Sequence, residues 1–141
     1  MGTTGTGRSG LTFEAVAKLI KKSEIISLRR ELNSGVSPNL SNKFGWTLLM
    51  LAALGGNTRI AELLISKGAD VNATNDFGET ALSLAANGGH TQFIRALLAH
   101  GASTDCQPHG TSLGAWLRTA SGLPQAKIGT VIRLIETARP R

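Results

Sequence analysis

The side chains in this sequence that could do chemistry gather between Asp70 and His109. Asp105, Cys106 and His109 stand within one loop-sized stretch. A thiol close to an imidazole reads as a nucleophile with its base, or as half of a zinc site. Zinc needs three or four ligands, but Cys106 is the sole cysteine, and His90 and His100 are the only other imidazoles. His100 precedes a helix-ending glycine, Gly101, where a cation suits the helix dipole. His90 follows Gly88-Gly89 at a recurring position, where packing and capping account for it. Asp70, Asp76, Glu79 and Asp105 could serve as paired carboxylates for acid–base work. They recur with a repeat in the chain, however, which favours solvated loop tips. Gly2 to Ser9 nearly spells a phosphate-binding loop, with Arg8 in the lysine position. That loop needs a strand before it so that its amides converge on a phosphate, and none precedes residue 2. No nucleophile–base–orienter set emerges. The expectation is therefore no enzyme, no catalytic residues, no metal and no cofactor.

What must position these groups is a repeat. Phe44-Gly45-Trp46-Thr47 returns as Phe77-Gly78-Glu79-Thr80, Ala52-Ala53 as Ala85-Ala86, Gly55-Gly56 as Gly88-Gly89, and Gly68-Ala69 as Gly101-Ala102. Each pair is offset by 33 residues, as 77 is from 44. A constant period of that length marks a stacked solenoid. Within Asp76–Pro108, Asn75 to Gly78 is turn chemistry, Thr80 can cap a short helix, and Gly88-Gly89 ends it. A second helix is expected from about His90 to Ala99, with Phe93, Ile94, Leu97 and Leu98 as its buried stripe. Helix, tight turn, helix and hairpin-like loop make one unit, and a unit buries both apolar faces only by stacking on its neighbours.

Composition agrees. The 141 residues suffice for one domain with a core, and the scarcity of aromatics, 4%, suits short helices packed through Leu, Ile and Ala. A single cysteine excludes an intrachain disulfide, and a cytoplasmic setting is expected. The longest strongly apolar stretch, Leu48 to Leu54, is too short to span a bilayer. Residues 1–10, rich in Gly and Thr, read as a disordered leader or an expression remnant. The net charge of +6 sits at the ends. Residues 1–42 carry six basic and three acidic side chains, 43–108 four and five, and 109–141 five and one. Charged outer faces on terminal repeats favour solubility. The sharper alternative is attraction to nucleic acid or anionic membrane through Lys18, Lys21, Lys22, Arg29 and Arg30.

The chain resembles the ankyrin repeat family. Residues 45–57 read G-W-T-L-L-M-L-A-A-L-G-G-N, residues 68–72 read G-A-D-V-N, and residues 78–90 read G-E-T-A-L-S-L-A-A-N-G-G-H. Leu48 and Ala81 stand where the family has Pro, and Met50 and Ser83 where it has His. Degenerate copies flank these two. Upstream, Thr12–Lys21 and Glu24–Asn33 give paired helices, with Lys22-Ser23 in place of Gly-Gly. Downstream, Gly110-Thr111-Ser112-Leu113 restarts the motif one residue short of register, and Gln125–Thr137 forms the last helix. The expected fold is all-α: a solenoid of about four helix–turn–helix units, two regular and two capping. The units run 11–42, 43–75, 76–108 and 109–141 within a single domain, 11–141.

The resemblance implies a non-enzymatic protein–protein interaction module that binds on a concave face of loop tips and first helices. At matching positions that face comprises Lys43, Phe44, Trp46 and Leu54, then Asp76, Phe77, Glu79 and Asn87, then Thr111 and Arg118. Aromatics at loop tips suit interface anchors, so Trp46, Phe44 and Phe77 are expected to grip an apolar element. Asp76 and Glu79 against Lys43 and Arg118 would orient it by charge. The competing role for Phe44 and Phe77 is to brace adjacent loops. The partner is another protein of unstated identity, and the chain is expected to act as a monomer.

Overall fold

A threonine opens the first helix of three successive helix pairs. Thr12 Oγ1 accepts the Ala15 N–H at 3.3 Å, Thr47 Oγ1 that of Met50 at 3.2 Å, and Thr80 Oγ1 that of Ser83 at 3.2 Å. Each contact satisfies an amide that a helix N-terminus leaves open. At Thr80 the arrangement is reciprocal, because its own N–H donates to Ser83 Oγ at 2.9 Å. Serine thus fills the place where the family carries histidine and closes a capping box.

The computed structural model describes residues 11–119 and 122–138. The expected leader, 1–10, lies outside the described residues. Among them are eight α-helices: α1 Phe13–Lys21, α2 Ile25–Asn33, α3 Leu48–Gly55, α4 Thr58–Ser66, α5 Ala81–Asn87, α6 Thr91–Ala99, α7 Leu113–Thr119 and α8 Gln125–Thr137. No strand occurs among the described residues; one isolated antiparallel bridge joins Ser41 and Thr47. First helices α1, α3, α5 and α7 pack in series as one layer, and α2, α4, α6 and α8 form the other. The contact of α7 on α5 is the thinnest in its layer.

The core runs along both layers. In α3, Leu48, Leu49, Met50, Ala52 and Ala53 are all buried, because this helix has neighbours on either side as well as α4 beneath. Alanines on α3 and α5 let the first helices approach closely, while Phe93, Ile94 and Leu97 of α6 fill the second layer. Burying a side chain of that size contributes about 2 kcal/mol.

The turn inside each of the first three pairs takes a left-handed residue. Gly56 and Gly89 take φ of 69° and 68° there, and Ser23 takes 57° in the first pair. Serine bears the steric penalty that glycine avoids. Its Oγ accepts a hydrogen bond from Asn57 Nδ2 at 3.3 Å.

Asparagines connect successive loops. Asn39 donates from Nδ2 to Gly68 O at 3.0 Å and accepts at Oδ1 from Asp70 N at 2.8 Å. Asn72 repeats this one unit on, with Gly101 O at 3.3 Å and Ser103 N at 2.7 Å. The glycine–asparagine strings at 35–39 and 68–72 therefore join units as well as making a turn.

Candidate partner-binding face

The hairpin tips are built before anything can bind on them. Asn42 Oδ1 accepts from the Phe44 and Trp46 amides, both at 3.0 Å, and Gly45 N closes the turn on Asn42 O. Asn75 Oδ1 does the same for Phe77 at 2.9 Å and Glu79 at 3.0 Å. These local bonds fix the direction of the tip side chains. The tips are also joined to each other: Asp76 N donates to Phe44 O at 2.9 Å, and His109 N to Phe77 O at 2.8 Å. Adjacent loops are thus braced by backbone, and this leaves the two phenylalanine rings about half exposed, at 46% and 47%.

Phe44, Trp46 and Leu54 are brought together. With Leu51 they line a groove of about 550 Å³ between the first tip and α1, where Phe13 and Ala17 form the opposite wall. Trp46 is half-buried against the core, and Leu54 is 52% exposed. Lys43 stands beside the groove with Nζ 5.1 Å from the centroid of the Phe44 ring, a cation–π contact. Lys18, Lys21 and Glu14 of α1 complete the lining. The lysines join this face only because α1 stacks on α3, which no local motif announces.

Glu79 does not behave as a solvated loop-tip carboxylate. It is 8% exposed, its Oε1 accepts from Asn75 Nδ2 at 2.9 Å, and its Oε2 lies 3.3 Å from His109 Nε2. A buried carboxylate keeps its place by holding such partners, and through them Glu79 ties the tip to Asn75 and His109. Asp76 and Phe77 are exposed, as expected of a tip. The Phe77 ring lies 6.0 Å from that of His109, which stacks in turn on Trp116, also at 6.0 Å. Asn87 is half-buried at the end of α5, and its buried Oδ1 meets no donor among the described residues. Thr111 is exposed. Arg118 is exposed too, but it lines a separate depression of about 460 Å³ with Asp105, Ser112 and Glu136. It is not part of the Trp46 groove.

The chemistry-bearing candidates have structural duties. Burial pushes the Cys106 thiol up from its ordinary pKa, against a smaller lowering by a hydrogen bond with Thr80. That direction favours the protonated thiol, the less nucleophilic form. The Nε2 of His109 is engaged by Glu79. His90 packs its ring against Gly56 and Gly88, and its Nε2 reaches Leu54 O at 3.3 Å. It joins two repeats and makes no side-chain cap for its own helix, which begins at Thr91. Among the described residues no group of three His, Cys, Asp or Glu could hold a metal ion, and no helix is long and apolar enough to cross a membrane.

The basic residues of the first pair do not form one surface. Lys18 and Lys21 face the groove of the first-helix layer, whereas Arg29 lines a depression between α2 and α4 with Arg59, Glu62 and Lys67. Arg30 lies 4.0 Å from Glu31.

Residues 10–111 match the family described as ankyrin repeats, in three copies. The chain belongs to the ankyrin repeat family. It is also similar to the ankyrin repeat, SAM and basic leucine zipper domain-containing protein 1 of Rhinolophus ferrumequinum, at 34% identity over 55 residues. That match covers 39% of this chain and 12% of the relative's length. Ankyrin repeats are generally protein–protein interaction modules.

Proposed function

We propose that this chain is a non-enzymatic module that binds another protein on the concave face of its hairpin tips and first helices, centred on Trp46. One observation carries the reading: Phe44, Trp46, Leu51 and Leu54 line a single open groove although a solvated surface gains nothing from grouping them. The backbone frame holds this groove ready, so little ordering entropy is lost on docking. The raised pKa of Cys106 and the engagement of His109 by Glu79 support a binding role over catalysis. The molecule acts as a monomer, and a lone thiol suits the cytoplasm.

Trp46→Ala is expected to weaken partner binding by about 2 kcal/mol or more in an isothermal titration. The half-buried ring also touches the core, so Leu54→Ala, at an exposed site, provides the companion variant with an intact fold. A partner held equally tightly by both variants rules the groove out.

A further inference from the structure

The rim of the groove has a sign. Lys18 and Lys21 are three residues apart and share one face of α1, and both line the groove. Both are exposed, and neither enters an ion pair found among the described residues. Lys43 adds a third ammonium beside Phe44. Glu14 is the one carboxylate among the lining residues. Three cations therefore surround an apolar recess against one anion. The pattern changes at the next tip, where Asp76 is exposed. A cationic segment laid across α1 would set like charges side by side. An anionic one would form rim pairs, which govern association rate and choice of partner.

We infer that the groove receives a protein segment in which a large apolar side chain is flanked by Asp or Glu: the apolar group seats among Phe44, Trp46 and Leu54, and the carboxylates lie over Lys18, Lys21 and Lys43. The inference rests on the docking role of the Trp46 groove and adds the chemistry of the occupant. Nucleic acid fits less well. A polyanion follows a continuous basic track, and this one is short, interrupted by Glu14 and followed by Asp76.

The test is selection from a random peptide display library on the intact chain, followed by fluorescence anisotropy titration of the enriched peptides. The expected consensus pairs a large apolar residue with Asp or Glu. Binding to the unaltered chain should weaken with salt, and binding to Lys18→Glu/Lys21→Glu should fall about tenfold or more. The same variant should select peptides with Lys or Arg in place of the acids. Both lysines are exposed, so the fold survives, and circular dichroism melts verify this. Peptides that depend on Trp46 and Leu54 but show no acidic bias, or ignore the charge reversal, overturn the inference and leave the docking site standing. Peptides indifferent to Trp46→Ala and Leu54→Ala, or no enrichment at all, overturn both. Phosphatidylserine vesicles or single-stranded DNA binding through the two lysines, with no peptide bound, would assign the rim to a different anion and overturn the inference.

Discussion

The hairpin tips at 42–47 and 75–80 share a backbone and differ in two side chains, Lys43 against Asp76 and Trp46 against Glu79. In each, an asparagine Oδ1 gathers two amides and a glycine turns the chain with φ of 80° or 73°. Between that glycine and the capping threonine stands Trp46 in one tip and Glu79 in the other. Trp46 lines an open groove, while Glu79 turns inward to Asn75 and His109. The frame is set by local hydrogen bonds, so it tolerates either residue. What the variable residue does depends on the neighbouring unit, which offers a groove wall on α1 in one case and an imidazole in the other.

The largest expected break in this likeness is at the glycines. A Cβ on Gly78 would stand 2.6 Å from Gln107 O, whereas on Gly45 the nearest atom, Asn75 Cα, is 3.0 Å away. Both sites also carry the left-handed penalty. Gly78→Ala should cost about 3 kcal/mol and Gly45→Ala about 2 kcal/mol, read from urea denaturation midpoints. Equal losses would mean that the second tip is held no more tightly than the first.

Glu79→Ala sharpens the contrast in role. It strands the buried Asn75 amide, so a stability loss of about 2 kcal/mol is expected, with peptide affinity at the Trp46 groove unchanged. Trp46→Ala should show the opposite ranking, affinity before stability. An affinity loss at Glu79→Ala matching that at Trp46→Ala would erase the distinction.

The smallest effect belongs to the turn before α2. Ser23→Gly relieves the left-handed strain and gives up the 3.3 Å bond from Asn57. A net gain of about 0.5–1 kcal/mol is expected, seen as a higher thermal midpoint. A lower midpoint would show that the Asn57 contact outweighs the strain.

Much of this was legible in the residues. The 33-residue recurrence of glycines and Ala-Ala pairs gave the layers, and the bounds of α8 match the apolar stripe of Gln125–Thr137. Lys22-Ser23 stands where later copies have Gly-Gly, so the left-handed serine had a signal in the spacing. The duty of Glu79 had none. Its imidazole partner lies thirty residues on, where the copy slips register, and composition cannot say which loop reaches which. Nor could a linear pattern separate Lys18 and Lys21 from Arg29. Layering did that, by turning α1 toward Trp46 and α2 away from it.

The asparagine links between loops give the stack a direction. Asn39 holds the loop of the unit after it, and Asn72 holds the next. The second and third units are thus each latched by the one that precedes them in the chain. Peeling away α7 and α8 leaves both latches shut, but stripping the first pair as far as Asn39 opens the one that secures Gly68 and Asp70. Fraying from the two ends therefore breaks different bonds: the Asn39 latch at one, the contacts of His109 with Phe77 O and Glu79 at the other.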